Sequence, residues 1–301
     1  MLAQAGARRS DRDRFTAIWY SPDSLVADRL LSDAVARDTF PWLPRSRSRI
    51  VIAIAPDAPT FRRWVGAASH RWTAAVTFLD RHRIVMQGQF ASADAGDPRQ
   101  VLRHELAHVA LYDFLGDLPS RWFSEGYASY AAGEERTTGF VATNAALTFR
   151  QMPTLAALDT MLQSPHGTEA HAGYALALRA VSDLAASDRD RGLAPLFAAW
   201  KERGSFDLAM RRTNAQTTED FERGWQRRAK WQFAFLSVVA DTSLGGAIVI
   251  GLLVPPFLKR RRANRRRLLE MRDAEARSEH VARAEALDSV VRGLGPPDRD
   301  A

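Results

Sequence analysis

The chain of 301 residues contains no cysteine. This absence excludes disulfide bonds, metal sites built on thiolates and cysteine nucleophiles. The hydrophobic fraction of 46% and the charged fraction of 26% are ordinary for a folded domain, which argues against disorder of the whole chain. The length allows one sizeable globular domain with additional segments, or two small domains.

The net charge of +7 is unevenly distributed along the chain. Seven of the twelve basic residues after position 258 lie in Lys259–Arg267. A basic run beside an apolar stretch is more typical of a membrane flank than of nucleic-acid binding. We therefore expect no nucleic-acid partner.

An apolar stretch of 26 residues, interrupted by Asp241, occupies Phe233–Leu258. It is long enough to cross ~30 Å of hydrocarbon, and the sequence predicts one transmembrane helix here, in contact with membrane lipid. The positive-inside rule then places residues 259–301, either a helix or a solvated tail, in the cytoplasm. The preceding domain would face the periplasm or the cell exterior. A buried core helix is the alternative interpretation.

Such a topology requires an export signal at the N-terminus. The small residues of Leu2–Ala7 resemble the cleavage end of a signal peptide whose charged and apolar parts are missing. We interpret residues 1–13 as a signal-peptide remnant or a flexible terminus. The hypothesis that follows is that the true start lies upstream of Met1, or that the chain is truncated.

Residues 14–232 read as one domain with a mixed N-terminal half and a helical second half. Runs of β-branched and aromatic residues predict strands, and apolar residues at helical spacing predict helices. The predicted strands are Arg14–Tyr20, Arg49–Ala55 and Arg83–Gly88. The predicted helices include Ser24–Asp38, one opened by Asp97 and Pro98, one from about Pro119 to Ala132, and most of the chain from Pro153 to Trp231.

The clearest chemical motif is His104-Glu105-Leu106-Ala107-His108, inside the helix opened by Pro98. Histidines four residues apart project from the same face of a helix and can bind one Zn²⁺ ion. Glu105 is then placed to act as general base on a water molecule at the metal. Chance produces such a five-residue pattern in roughly 1% of chains of this length, so the motif needs support from its surroundings.

A catalytic zinc site needs a third protein ligand and an open position for water. Glu125 is the candidate, in the segment Trp122-Phe123-Ser124-Glu125-Gly126-Tyr127-Ala128. The sixteen residues between His108 and Glu125 allow the first helix to end, the chain to turn near Gly116 and a second helix to present the carboxylate. Apolar and aromatic neighbours make a merely solvated glutamate the weaker interpretation.

These two segments, joined by a turn containing Leu118-Pro119, resemble the peptidase MA-like (gluzincin) families of zinc metallopeptidases, and most closely their small bacterial members. The resemblance spans about Phe15 to Trp231. It implies an α+β fold: a gluzincin-like (zincin) catalytic domain with a small mixed sheet and active-site helices, a helical C-terminal half, and here one transmembrane helix. It also implies that one zinc ion is bound by His104, His108 and Glu125, with Glu105 as general base.

The resemblance extends to two further residues. His171-Ala172-Gly173-Tyr174 is similar to the segment that supplies an oxyanion-stabilising tyrosine in aminopeptidase-like members. We favour Tyr174 for this role, with His171 as the alternative, and a core tyrosine is the other interpretation. Ser129, one turn after Glu125, falls where related sites place a residue that supports the metal ligands.

One departure limits what the resemblance implies. The aminopeptidase signature Gly-x-Met-Glu-Asn has no counterpart, because the corresponding region reads Val85-Met86-Gln87-Gly88. Aminopeptidase specificity is therefore not expected. The strand Arg83–Gly88 could still align an extended peptide by β-augmentation.

The function predicted from the sequence is a membrane-anchored zinc hydrolase that cleaves peptides or proteins. Two alternatives stay open: a catalytically inactive, membrane-tethered binding protein that retains the fold, and a scaffold whose C-terminal tail binds a partner or anionic lipid. The intact Glu105 argues against the first, because metal binding alone does not require it. The sequence contains no signal for the oligomeric state.

Overall fold

A computed structural model describes residues 6–66, 74–88, 96–134 and 152–241, the last eleven as backbone only. The chain separates into two units, Met1–Phe233 and Ala234–Ala301. Residues 234–241 form the end of a helix that begins at Thr218.

A mixed five-stranded sheet forms the N-terminal half of the first unit. Its strand order is β1-β2-β3-β5-β4. The central pairs β2–β3 and β3–β5 are parallel, whereas the outer pairs β1–β2 and β4–β5 are antiparallel. The strands are β1 (Arg8–Arg12), β2 (Phe15–Trp19), β3 (Ile50–Ala55), β4 (Ala75–Phe78) and β5 (Arg83–Gln87).

Three of these strands lie within the predicted segments, and the two edge strands were not predicted. Residues 8–12, interpreted from the sequence as part of a signal remnant or flexible terminus, form β1 and pair with β2 along their whole length. Strand β4 has only four residues and a mostly half-buried pattern, which carries a weak sequence signal.

Nine α-helices occur in the described residues. The helices of the first part are α1 (Ser24–Ala36), α2 (Ala58–Val65), α3 (Pro98–Leu115) and α4 (Arg121–Ala132). The second part of the domain is entirely helical where it is described. Its helices are α5 (Leu155–Met161), α6 (Gly167–Ala185), α7 (Ala194–Arg203), α8 (Phe206–Asn214) and α9 (Thr218–Asp241).

Capping residues set the limits of α3 and α4. The side chain of Asp97 accepts a hydrogen bond from the backbone N–H of Arg99, and Pro98 suits the first helical turn. At α4 the carboxylate of Asp159, from α5, accepts the N–H of Trp122 at 2.6 Å. Gly133 ends α4 with φ at 70°, a left-handed conformation that glycine adopts without strain.

A close approach between backbones holds α4 against α6. A Cβ atom on Gly126 would lie 2.4 Å from the carbonyl oxygen of Ala177, far inside van der Waals contact. Glycine is therefore required at this position for the two helices to pack as they do. Because Gly126 directly follows Glu125, this contact also fixes the distance between the Glu125 segment and α6.

The guanidinium of Arg103 joins α3 to its neighbours. It donates hydrogen bonds to the carbonyl oxygens of Ala131 at the end of α4, and of Arg37 and Thr39 just after α1. These carbonyls lie at or beyond helix ends and lack some or all of their helical partners. Arg103 thus satisfies them and links α3 to the end of α4 and to the segment after α1.

The structure corrects the predicted fold class in its last element. No helix of the described residues combines the length and the apolar character needed to cross a membrane. Residues 233–241 of the predicted span form the end of α9, whose earlier turns are charged and bury Phe221, Trp225 and Ala229 against the domain core. Residues 242–258 lie outside the described part. The fold described is a mixed α/β domain, and the prediction of a transmembrane helix is wrong for it.

Candidate metal centre and cleft

Helix α3 places His104 and His108 one turn apart on the same face. Their ring centroids lie 4.9 Å apart with the rings nearly perpendicular, and their two Nε2 atoms approach to 3.2 Å. Both side chains are largely buried. Two imidazole nitrogens turned towards one point in a buried site favour a cation between them, because each neutral ring offers a lone pair.

Glu125 completes a triangle of donor atoms. Its Oε2 atom lies 3.2 Å from His104 Nε2 and 3.5 Å from His108 Nε2. In a tetrahedral site with zinc–ligand bonds of about 2.0–2.1 Å, ligand atoms lie about 3.3 Å from one another. The three measured separations agree with this value. These side chains therefore fit one zinc ion, and they form the metal-competent group identified within the described residues.

The second nitrogen of each imidazole is held by a side chain from α4 or just after it. His104 Nδ1 lies 2.9 Å from Glu134 Oε1, and His108 Nδ1 lies 2.9 Å from Ser124 Oγ. Hydrogen bonds at Nδ1 favour the tautomer in which Nε2 is free to bind a metal. The rings are thus oriented before any ion binds.

The electrostatic field of the site favours positive charge. Burial by itself disfavours the charged His104 ring, yet its hydrogen bonds to Glu125 and Glu134 raise the pKa of His104 well above its ordinary value. For Glu125, burial opposes ionisation, but the charge of His108 and the hydrogen bonds from both histidines lower its pKa. Surroundings that stabilise a proton on the imidazole also stabilise a divalent cation in its place.

A cleft of about 560 Å³ opens in front of this group. It is lined by residues of β4 and by residues from α3, α4 and α6. Glu105 lies in it beside the motif histidines, and Thr77 Oγ1 on β4 donates a hydrogen bond of 2.5 Å to Glu105 Oε2. The carboxylate expected to act as base therefore faces the cleft and has one oxygen held by the edge strand.

Tyr174 and His171 occupy different positions on α6. Tyr174 lines the cleft together with the metal-competent group, whereas His171 is exposed and is not among the lining residues. Burial and the negative charges of Glu125 and Glu105 raise the pKa of Tyr174. The phenol hydroxyl therefore stays protonated at neutral pH and can donate a hydrogen bond into the cleft.

Three residues near the site were not identified from the sequence as functional: Glu134, Thr77 and Arg121. Glu134 contacts His104 in the supporting role that the resemblance assigns to Ser129, which is buried in α4. Gly133 turns the chain at the end of α4, and no sequence spacing indicates which side chain then meets the imidazole. Thr77 belongs to an edge strand that the sequence pattern does not reveal.

The strand suggested to align a peptide is also different in the structure. Strand β5 lies between β3 and β4, so both of its edges are hydrogen-bonded within the sheet. A peptide cannot add to it. Strand β4 is the edge strand, and Ala75, Val76 and Thr77 line the cleft.

Comparison of the chain with protein-family models and with curated proteins gives no match. The gluzincin resemblance therefore remains a prediction based on the motif residues.

Proposed function

We propose that this chain is a zinc-dependent hydrolase that cleaves peptide bonds. The observation that carries the proposal is the triangle of donor atoms from His104, His108 and Glu125, with separations of 3.2–3.5 Å. A structural zinc site is normally closed by four protein ligands, whereas a catalytic one has three and an open position. Here the three side chains border a cleft that also contains Glu105 and Tyr174.

The zinc ion, when bound, supplies a Lewis acid that polarises a carbonyl oxygen and lowers the pKa of a water molecule to about 7. His104 and His108 would bind it through Nε2 and Glu125 through Oε2. Glu134 and Ser124 would keep the two rings in the required tautomer and orientation.

Glu105 takes the proton of the attacking water and then delivers it to the leaving amine. Thr77 holds Oε2 of this carboxylate, which leaves Oε1 to face the water. A positioned base of this kind contributes roughly 10²–10⁴-fold to a hydrolytic rate.

The hydroxyl group of Tyr174 donates a hydrogen bond to the oxyanion that forms as water attacks the carbonyl carbon. A phenol keeps this hydrogen at neutral pH, because its ordinary pKa is about 10. A donor aimed at the oxyanion stabilises the transition state more than the ground state.

The substrate lies along β4 as an additional, extended strand. In the described part of the sheet β4 pairs on one side with β5 and has no strand on its other side. Backbone N–H and C=O groups of such an edge bind a peptide largely independently of its side chains. This favours a peptide over a small ester or a sugar as the substrate class.

The test combines metal analysis of the purified full chain with cleavage of a broad peptide library. We expect about one zinc ion per chain and cleavage that is lost on chelation and restored by zinc. The Glu105→Gln variant is expected to keep its zinc and lose roughly 10²–10⁴-fold in kcat.

Glu202→Gln is the matched control, because Glu202 is an exposed glutamate of α7 that does not line the cleft. It should cleave as the wild type does. A wild-type chain that binds no zinc would refute the metal site. Zinc bound by wild type and Glu105→Gln alike, with cleavage by neither, would instead support an inactive binding protein.

A further inference from the structure

Arg121 is the first residue of α4 and lines the cleft. Its side chain is 48% exposed, and among the described lining residues it is the one arginine or lysine. Helix stability does not explain this position, because the N-terminal end of a helix carries partial positive charge and disfavours a cation.

The guanidinium has only a weak partner in the domain. Arg121 Nη1 lies 3.9 Å from Glu125 Oε1, beyond hydrogen-bond distance, and half-exposed pairs of this kind contribute little to stability. The other oxygen of Glu125 faces the histidines. Within the described ranges no further carboxylate lies within 4.0 Å of the guanidinium. Its N–H donors are therefore available to a ligand in the cleft.

We propose that Arg121 binds a carboxylate of the substrate close to the scissile bond, an inference that rests on the proposed peptidase function. A guanidinium binds a carboxylate through two parallel hydrogen bonds. The source of the carboxylate is either the free C-terminus of a short peptide or an aspartate or glutamate side chain.

The remaining charges of the cleft make this interaction selective. Glu105 lines the same cleft and repels a substrate carboxylate placed near it, whereas the charge of Glu125 would be compensated by the zinc ion that it is proposed to bind. Asp159 lies at the start of α4 as well, where it accepts the N–H of Trp122. Away from the metal, an acidic group is consequently favoured where Arg121 compensates its charge.

The distances place the bound carboxylate near the reacting bond. Arg121 lies 3.9 Å from one oxygen of Glu125, and the other oxygen lies 3.2 Å from His104 Nε2. An extended peptide advances about 3.3 Å per residue. The carboxylate therefore belongs to a residue one or two positions from the scissile bond, on the side that lies towards the start of α4.

The test uses the zinc-loaded full chain carrying Glu105→Gln, which should hold peptides without cleaving them. Four N-acetylated tetrapeptides serve as probes, and they differ at two points only. The third residue is Glu or Gln, and the C-terminus is a free acid or an amide. The Kd of each peptide is measured by calorimetry for the Glu105→Gln chain. It is measured again for Glu105→Gln chains that carry a second substitution: Arg121→Gln, Arg121→Lys or the control Arg212→Gln. Arg212 is an exposed arginine of α8 that does not line the cleft.

We expect one of the two carboxylates to tighten binding roughly ten- to a hundredfold, as hydrogen bonds between charged groups do. Arg121→Gln should abolish this preference, Arg121→Lys should retain part of it, and Arg212→Gln should leave it intact. An acid-over-amide preference identifies a terminal carboxylate as the ligand, and a Glu-over-Gln preference identifies a side chain. Zinc content, measured in each variant, separates this role from an effect of Arg121 on Glu125, which would weaken all four peptides equally.

The outcomes distinguish the two proposals. In one outcome the peptides bind with a charge preference that depends on Arg121, while the chain with Glu105 intact cleaves none of them. This result refutes the proposed peptidase function and supports the carboxylate site. Cleavage with no preference for either carboxylate, or with a preference that survives Arg121→Gln, refutes the carboxylate site alone. A chain that binds none of the four peptides and cleaves no member of the broad peptide library refutes both.

Discussion

The two sides of the cleft are built differently. The metal side consists of His104, His108 and Glu125, all from the adjacent helices α3 and α4, and each imidazole has a further partner that orients it. The substrate side consists of Thr77, Arg121 and Tyr174, which come from β4, the start of α4 and α6. Within the described part of the chain, no hydrogen bond comparable to those at the imidazoles holds Arg121, and the hydroxyl of Thr77 donates to Glu105.

Under the proposed function, this difference means that metal binding and turnover depend on separate sets of contacts. A substitution on the substrate side should change kcat or KM at constant zinc affinity. One on the metal side should change zinc affinity first.

Replacing Tyr174 by Phe gives the largest effect expected on the substrate side. Loss of an oxyanion donor lowers kcat by roughly 10²–10³-fold, while zinc content stays unchanged. Steady-state kinetics with metal analysis measures both quantities. Tyr112→Phe is the control, because it makes the same change at a tyrosine that does not line the cleft. It should have no effect on kcat. If Tyr174→Phe has the kcat of the wild type, Tyr174 contributes to packing and does not stabilise the oxyanion.

Replacing Glu134 by Gln tests the metal side. Gln keeps an acceptor for His104 Nδ1 but removes the negative charge, and loss of such a supporting partner weakens metal affinity by roughly 10–100-fold. Competition with a chelator of known affinity gives the zinc Kd, and kcat measured at saturating zinc should change much less. If Glu134→Gln preserves zinc affinity and lowers only kcat, Glu134 does not act on the metal side of the cleft. Glu134→Ala should weaken zinc binding further.

Replacing Gly126 by Ala should disturb both sides at once. The added methyl group meets the carbonyl oxygen of Ala177 at 2.4 Å, so α4 and α6 must separate. Overpacking of this kind costs about 1–3 kcal/mol of stability. A lower Tm, weaker zinc binding and a lower kcat should therefore occur together. Gly167→Ala is the control, since a Cβ there meets nothing within 4 Å. A variant with wild-type Tm would show that the helices adjust at little cost.

Replacing Thr77 by Val should have the smallest effect. Val has the same shape but cannot donate to Glu105 Oε2, and one hydrogen bond contributes about 0.5–1.5 kcal/mol. We expect kcat to fall by between two- and tenfold, roughly, with KM and zinc affinity unchanged. Thr77→Ser, which keeps the hydroxyl, should restore most of the rate. If Ser and Val behave alike, the hydroxyl does not position the base.

Parts of the fold followed from local patterns, and parts did not. The helix around Pro98 was predictable because its capping residue and its apolar spacing both lie within the segment. For the helix around Trp122 the apolar and aromatic spacing was the local signal, whereas Asp159 of α5 caps its start. Strand β4 was missed because four residues with one buried position do not show a clear alternation. The predicted transmembrane helix rested on the length of the apolar stretch and on the basic run after it, whereas no helix of the described residues is long and apolar enough to cross a membrane.

The sequence by itself identified His104 and His108 as a pair of proposed metal ligands, because their spacing on one helix is a local property. The number of residues between His108 and Glu125 also allows the chain to turn back and bring Glu125 next to the two histidines. Only the tertiary structure decided that Glu134 supports His104, that Thr77 holds Glu105 and that Tyr174 rather than His171 lines the cleft. Those contacts join separate elements, and their geometry depends on how the helices and the sheet pack, through close approaches such as that of Gly126 to Ala177.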